Sequence, residues 1–423
     1  MKKKILMMGL AIMFGLSFLP ASYARAEKVK PIVLGLPAPL GYPYGVDSLV
    51  CVKMAVKEIN AGGGVFIKED GVKRPFKVEA VDTRAAAPGV PVHDAVMAYE
   101  KLILKEKPDF LVGCGFRSEI VMTVLDLLKK YNLIYMEGGG SMSPSVTKKV
   151  VDNYERYKYY FRCNLNAVHL IQGLVGLVQQ LSVEFGFKKA FIVVEDTLVT
   201  RQAGKIIRKF LEKNKWEIVG HDRTPLGATD YSPTLIKAKA AKAQVIVPFT
   251  SLPETAIMAK QMHDMKVPAL MAGYLTPTIS MNAWKTLEGK VEWVINFCGE
   301  IGSLPTSKLP RTVEFFDKLT KGLGHMTDAD KAASSYDSIY ILKEAIERAG
   351  TLKVDRIIAE LEKTNYMGIN GRYKFGKDHQ IIYGANPEET CIGGAFQWVN
   401  GKRVVFSPKA VAEGKVQLPP WMR

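Results

Sequence analysis

The stretch Cys114-Gly115-Phe116-Arg117-Ser118 holds residue types that can bind a carboxylate. It follows a predicted strand and enters a predicted helix, whose first N–H groups attract anions. Ser118 can cap that helix, and a plain cap is the alternative interpretation. Arg117 can clamp a second anionic group through parallel hydrogen bonds, and an ordinary surface charge is the alternative. The stretch therefore predicts non-covalent recognition of a small acid.

Two other loops in the N-terminal half also follow predicted strands, where doubly wound sheets bind their ligands. Residues 37–44 include two tyrosines that could form an aromatic wall or simply pack within the loop. Residues 138–144 read Gly-Gly-Gly-Ser-Met-Ser-Pro, which is either a flexible turn or a ligand loop. The position of this second loop at a strand end favours ligand binding. The candidate residues of the two loops are Tyr42, Tyr44, Gly139, Gly140 and Ser141.

No catalytic or cofactor motif is present in the sequence. It lacks His-Glu-x-x-His, Gly-x-Ser-x-Gly and a Walker A loop, and its six histidines are scattered. Gly113-x-Gly115-x-x-Ser118 lacks the third glycine of a dinucleotide fingerprint. No Cys-x-x-Cys is present, so the sequence predicts neither a metal nor a cofactor. A non-enzymatic binding protein is expected, and an exported enzyme whose nucleophile assembles in space is the alternative.

Strand-like apolar runs alternate with helix-period segments through most of the chain. This pattern predicts a doubly wound α/β fold with a mostly parallel sheet in each of two halves. Residues 138–158 between the halves are expected to be irregular. Near the C-terminus, Gly371–Phe375 and Gly394–Phe406 predict antiparallel strands, the second run folded at an Asn400-Gly401 hairpin turn.

The N-terminus has the pattern of a secretory signal peptide. Three lysines precede an apolar run from Ile5 to Leu19, and Ala24-Arg25-Ala26 forms a small-residue cleavage site. Cleavage after Ala26 would leave 423 − 26 = 397 residues, exported to the periplasm. That length suits two domains.

Charge and cysteine content exclude other classes. The signal peptide carries four positive charges, so the mature net charge is 16 − 4 = +12. The basic residues are spread over helix faces rather than clustered, which argues against nucleic-acid binding. The five cysteines are far apart, and one disulfide or buried thiols are both compatible with the sequence.

Four motifs carry a resemblance to a known family. They are Pro37-Ala38-Pro39-Leu40-Gly41, Glu58-Ile59-Asn60-Ala61-Gly62-Gly63-Gly64-Val65, Gly227-Ala228-Thr229-Asp230-Tyr231-Ser232, and Tyr336-Asp337 leading to Glu344-Ala345-Ile346-Glu347-Arg348-Ala349-Gly350. In this order they resemble the type I periplasmic binding proteins, specifically the branched-chain amino acid (leucine/isoleucine/valine) binding family of ABC importers. The resemblance covers nearly the whole mature chain.

The resemblance implies a two-lobe clamshell with three hinge crossings. Lobe one would comprise residues 27–162 and 299–367, and lobe two residues 163–298 and 368–423. Cys163 and Cys298 would lie on neighbouring hinge strands, either bridged or as thiols. A small amino acid or carboxylic acid would bind lobe one first, lobe two would close, and the closed monomer would dock on a membrane permease. A sensor that docks on a receptor is the alternative.

The resemblance also assigns site residues. It implies that Ser118 and Ser141 hold the ligand carboxylate, with Gly140 in the adjacent backbone role. Lobe two departs from the family, because Asp196 is kept but the usual Tyr-Gly is replaced by Thr200-Arg201. Tyr274 stands about where the family carries an acid for the ligand ammonium. The hypothesis is a ligand that keeps its carboxylate and need not carry an α-amine, with Arg117 or Arg201 as a possible clamp on a second anionic group.

Overall fold

The computed structural model describes residues 29–87, 89–325 and 332–423. The predicted signal peptide, residues 1–26, lies outside the described residues. None of the helices within these ranges is both long enough and apolar enough to cross a membrane.

The strands and helices follow the predicted periodicity closely. The strands are β1 (Ile32–Ala38), β2 (Val65–Ile67), β3 (Val72–Arg74), β4 (Phe76–Asp82), β5 (Phe110–Cys114), β6 (Ile134–Gly139), β7 (Tyr160–Arg162), β8 (Lys189–Glu195), β9 (Glu217–Thr224), β10 (Val245–Thr250), β11 (Leu270–Leu275), β12 (Ile295–Cys298), β13 (Tyr366–Gly368), β14 (Gly371–Tyr373), β15 (Tyr383–Gly384), β16 (Cys391–Ile392), β17 (Gly394–Val399) and β18 (Lys402–Ser407). The α-helices are α1 (Pro43–Ala61), α2 (Val92–Glu106), α3 (Ser118–Tyr131), α4 (Pro144–Asp152), α5 (Tyr154–Tyr157), α6 (Ala167–Phe185), α7 (Leu198–Lys213), α8 (Ser232–Ala240), α9 (Ala256–Asp264), α10 (Ala283–Thr286), α11 (Pro310–Leu323), α12 (Ala333–Ala349) and α13 (Val354–Leu361).

Two main sheets organise the chain. The first has the order β4-β1-β5-β6-β7, and all its pairings are parallel. The second has the order β18-β17-β12-β11-β10-β8-β9, parallel from β12 to β9 and antiparallel at β17 and β18. Central strand β10 is buried at all six residues, because helices cover both faces of a parallel sheet. The predicted α/β class is confirmed.

Each sheet has its own hydrophobic core, which defines two lobes. One cluster runs from Ile32 to Cys163 and continues from Phe315 to Cys391. The other runs from Leu165 to Leu309 and continues from Ile392 to Val416. By packing, the chain therefore changes core near residue 164, after Leu309 and after Cys391. The hinge positions expected near residues 298 and 367 stay a prediction.

The expectation that residues 138–158 are irregular is wrong. Strand β6 continues to Gly139, and α4 and α5 follow. Ser143 caps α4 by accepting the N–H of Ser145 at 3.3 Å, and Pro144 occupies the first turn, where its missing N–H costs nothing. Val146 and Val150, four residues apart, bury one face of the helix.

Two other expectations have clear outcomes. Strands β17 and β18 form the predicted hairpin, with Asn400 and Gly401 both at positive φ (49° and 75°). All five cysteines are buried free thiols, including Cys163 and Cys298.

Two glycines of α6 test how tightly this helix packs on the second sheet. A Cβ on Gly173 would lie 2.1 Å from the Phe297 ring, whereas a Cβ on Gly176 would meet nothing within 4 Å. We expect Gly173→Ala to destabilise the fold by overpacking, by roughly 1–3 kcal/mol. Gly176→Ala, the matched control, should stabilise the helix by up to about 1 kcal/mol. Urea unfolding measures both, and equal effects would contradict the packing.

Candidate functional site

Ser118 is the first residue of α3 and not its cap. Arg117 holds the cap position and its side chain makes no capping hydrogen bond. The Ser118 hydroxyl oxygen instead accepts the backbone N–H groups of Met142 at 3.2 Å and Ser143 at 3.0 Å. Ser118 therefore ties the loop after β5 to the loop after β6. A hydroxyl oxygen has two lone pairs, so these bonds leave its hydrogen to be donated.

The glycines after β6 allow this close approach of the two loops. Gly139 O accepts the N–H of Gly115 at 3.1 Å. Gly140 has φ +93°, and a Cβ there would lie 2.6 Å from the backbone Cα of Phe116. Only glycine fits at Gly140, because both the conformation and the space exclude a side chain.

Ser141 is fully buried and belongs to a network of charged side chains beneath these loops. Its hydroxyl accepts a hydrogen bond from Arg162 Nη2 at 3.2 Å and donates a long one, 3.4 Å, to the Ser118 hydroxyl. Its backbone N–H donates to Glu137 Oε1 at 3.3 Å. Ser141 thus lies between the Glu137–Arg162 pair and Ser118.

Glu137 lies two residues before the end of β6 and Arg162 ends β7, and both are completely buried. Arg162 Nε lies 3.6 Å from Glu137 Oε2, and Tyr160 donates its hydroxyl hydrogen to the same oxygen at 3.2 Å. Glu137 Oε1 also accepts the N–H of Gly115 at 3.3 Å. Burial raises the pKa of Glu137 to about 7, although Arg162 and the hydrogen-bond donors oppose that rise.

Three aromatic rings cluster beside the N-terminus of α3. Tyr42 stacks on Tyr44 with ring centroids 5.7 Å apart, and its edge meets Phe116 at 5.2 Å. Tyr42 is 37% exposed, so part of this aromatic surface is open to solvent. Phe116 reaches the cluster from a left-handed backbone conformation (φ 56°). An apolar surface therefore lies next to the hydroxyl of Ser118 and the uncapped helix end.

The two candidate arginines already have partners within the protein. Arg117 Nε donates to Glu119 at 2.7 Å, and its Nη1 donates to Val90 O at 2.8 Å. Arg201 pairs with Asp196 at 2.7 Å on the surface. Both guanidinium groups therefore have hydrogen-bond partners within the protein and do not depend on a ligand for them.

The remaining lobe-two candidates lie at the carboxyl ends of β8 and β11. Thr200 is buried and forms a capping box with Thr197 at the start of α7. Tyr274 is 6% exposed and packs against Phe249 of the neighbouring strand, with centroids 5.4 Å apart. Tyr274 and Phe249 thus form an aromatic pair near the ends of β10 and β11.

Three buried charged residues near the candidate site are not among the residues expected from the sequence: Glu137, Arg162 and Glu195. Glu195 is buried at the end of β8 and accepts hydrogen bonds from Ser251 N, from Leu252 N at 2.7 Å and from the Ser251 hydroxyl at 3.3 Å. All three are charged residues at or near the carboxyl ends of largely apolar strands. That pattern was a usable signal, since a buried charge needs hydrogen-bond partners.

The described residues include no group of three His, Cys, Asp or Glu side chains placed to hold a metal ion. The loops instead offer hydroxyl groups, a helix N-terminus and aromatic surface. Such groups suit non-covalent binding of a small ligand.

Comparison with known proteins identifies the family. A family model described as periplasmic binding protein matches residues 32–386. The chain belongs to this family. More narrowly, it is a type I periplasmic binding protein of the leucine/isoleucine/valine-binding family, as the sequence resemblance predicted. Proteins of this family are exported solute-binding proteins that work with ABC transporter permeases.

Individual relatives show the range of the family. The Leu/Ile/Val-binding protein homolog 6 of Brucella suis is 23% identical over 353 residues, which are 83% of each chain. The substrate binding protein LivJ from Streptococcus pneumoniae, solved with isoleucine, has a TM-score of 0.67 at 20% identity and covers 88% of this chain and 98% of its own. A solute binding protein from Rhodopseudomonas palustris, solved with p-hydroxybenzoic acid, has a TM-score of 0.68 at 19% identity and covers 89% and 95%. The two structures support the two-lobe fold.

The buried carboxyl of Glu137 predicts a pH dependence of stability. Its pKa is raised from about 4.5 to about 7, so between these values the folded chain holds a proton that the unfolded chain has released. Stability therefore falls as pH rises through this window, by up to about 1.4 kcal/mol per pH unit. Glu137→Gln should remove this contribution. Unfolding free energies of both proteins at several pH values measure the difference, and a difference that is constant with pH would contradict it.

Proposed function

We propose that this protein is the solute-binding component of an ABC importer and that it binds a small carboxylic acid with an apolar body between its two lobes. The observation that carries the proposal is the hydroxyl of Ser118. Its oxygen accepts two backbone N–H groups, which leaves its hydrogen to be donated beside the N-terminus of α3, where no side chain caps the helix. A hydroxyl hydrogen and free helix N–H groups together suit a carboxylate.

The aromatic cluster of Tyr42, Tyr44 and Phe116 supports an apolar ligand body. It lies beside the carboxylate donors in lobe one, while Tyr274 and Phe249 provide a second aromatic surface in lobe two. Most ligand sites combine such apolar walls with a few polar groups that fix orientation. An amphipathic acid fits this division.

The contacts of the acidic residues in lobe two favour a ligand without an α-amine. Glu195 accepts three hydrogen bonds from the protein, and Asp196 is paired with Arg201. Tyr274 takes the position at which the resemblance places an acid. A buried ammonium without a counter-ion costs several kcal/mol. Amine-free acids, such as the p-hydroxybenzoic acid bound by the R. palustris relative, therefore fit this site better than leucine.

The proposed mechanism is hinge closure. The loop after β6 already touches lobe two, because Met142 O accepts the N–H of Ala167 at the start of α6 at 2.8 Å. A ligand held on this loop lies next to the first crossing between the lobes. Contacts that the ligand makes only in the closed state would stabilise that state, and the closed form would dock on the permease.

A ligand panel tests the proposed class. Isothermal titration calorimetry with benzoate, p-hydroxybenzoate and 4-methylpentanoate is compared with leucine and isoleucine. We expect the amine-free acids to bind at least about tenfold more tightly, because their binding leaves no ammonium unpaired. Tight binding of leucine together with no binding of the amine-free acids would contradict the proposal.

Ser118→Ala tests the carboxylate donor. Loss of a hydrogen bond to a charged group costs about 1.5–3 kcal/mol, so affinity for the best acid should fall about 10- to 100-fold. Ser145→Ala is the matched control, since Ser145 is an exposed serine at the start of the neighbouring helix α4. Equal affinities of the Ser118 and Ser145 variants would remove Ser118 from the site.

A further inference from the structure

We propose that Arg162 is a positioning residue which, through Ser141 and Ser118, makes the site select a carboxylate over an uncharged amide of the same shape. The inference rests on the proposed function and deepens it. Arg162 has no exposed surface and therefore acts on a ligand only through other residues.

The contacts of Arg162 point its charge toward the ligand loop. Its Nη2 donates to Ser141 Oγ at 3.2 Å and to Ser143 O at 3.1 Å. Its Nε edge faces the opposite partners, Tyr160 Oη at 3.2 Å and the Glu137 carboxylate at 3.6 Å. The guanidinium thus has its counter-ion on one edge and the ligand loop on the other.

The direction of the hydrogen bonds follows from the chemistry of arginine. A guanidinium has donors only, so Ser141 must accept from it and keeps its own hydrogen for another group. That group is Ser118 Oγ, at 3.4 Å. Ser118 also accepts from Met142 and Ser143, so its hydrogen is left for the ligand. Arg162 thus fixes the direction of the Ser141 hydroxyl, which is a third and longer donor to Ser118 Oγ beside the two backbone N–H groups.

Glu137 keeps this arrangement in place. One of its oxygens accepts the N–H groups of Gly115 and Ser141, which belong to the two ligand loops. The other faces Tyr160 and Arg162. Glu137 therefore holds the loops by their backbones, while Arg162 acts on the hydroxyl groups. The single variant Glu137→Gln keeps the side-chain shape at position 137 and the positive charge of Arg162. The double variant Arg162→Met/Glu137→Gln removes both charges, so neither charge is left buried without its partner.

The experiment measures a preference rather than an affinity alone. Dissociation constants are determined above pH 7 by calorimetry for two matched pairs, benzoate with benzamide and 4-methylpentanoate with 4-methylpentanamide. We expect the carboxylate-to-amide affinity ratio to fall at least tenfold in Arg162→Met/Glu137→Gln. Glu137→Gln alone removes the carboxylate that opposes the arginine charge and should raise the ratio, whereas Arg162→Lys in place of Arg162→Met should restore most of the wild-type ratio.

Each result of this experiment either supports or overturns the proposed role of Arg162. A folded double variant that keeps the wild-type ratio within twofold overturns the role of Arg162. If the double variant does not fold, Ser141→Ala decides, because it breaks the hydroxyl path with both charges in place. A ratio lowered at least threefold supports the proposal, and an unchanged ratio overturns it. A wild-type protein that binds neither carboxylate overturns the proposed ligand class. A wild-type protein that binds them, with a ratio that the variants do not change, overturns only the role of Arg162.

Discussion

The buried ion pair of Glu137 and Arg162 is the interaction on which the lobe-one site depends. Removing one member of such a pair costs about 3–5 kcal/mol, because the other charge is left buried without a partner. The pair persists because its hydrogen bonds are nearly complete: Glu137 receives backbone and hydroxyl donors, and Arg162 donates to Tyr160, Gln380, Ser141 and Ser143. These partners belong to four separate stretches of chain. The pair therefore fixes the relative positions of β6, β7 and both ligand loops.

The same network reaches the first crossing between the lobes, where the core changes near residue 164. Gln380 accepts from Arg162 at 3.2 Å and donates to Asn164 O at 2.6 Å, directly after β7. In a separate buried network, Glu300 accepts from the hydroxyl of Ser334 at 2.6 Å, and Asn370 donates to the same hydroxyl at 3.2 Å. The loop after β6 is bound to lobe one through Arg162 and touches lobe two through Met142. Under the proposed hinge closure, this loop would lie at the junction about which the lobes turn.

The sequence predicted the fold well because the α/β pattern is local. Apolar runs of strand length and helices of 3.6-residue period identify elements without knowledge of their partners. The helices at residues 144–157 were not predicted, because three glycines followed closely by a proline suggest a loop, although Ser143 and Pro144 are also typical of a helix start. The order of the strands within the sheets, and so which strand ends are neighbours, also required the structure.

The site was harder to predict because its central contacts are distant in sequence. Arg162 meets Gln380 across 218 positions, and no spacing rule links them. By contrast, Arg117 and Arg201 were predicted as clamps on an anionic ligand group, yet acids two and five residues away in sequence form ion pairs with them. Nearby acids compete with any ligand for an exposed arginine. A buried arginine whose counter-ion contacts only one edge of its guanidinium group is therefore a better candidate for acting on a ligand.

The proposed site gives the two lobes different tasks. Lobe one would supply the hydroxyl groups and the helix end for a carboxylate, a group shared by very many metabolites. In lobe two, Glu195 and Asp196 already have hydrogen-bond partners within the protein, and Tyr274 packs on Phe249. Closure would be driven only by contacts that differ between the open and closed states. On this proposal a carboxylate alone would occupy lobe one without closing the protein, and the apolar body of the ligand, contacted by lobe two, would determine which acids produce the closed form.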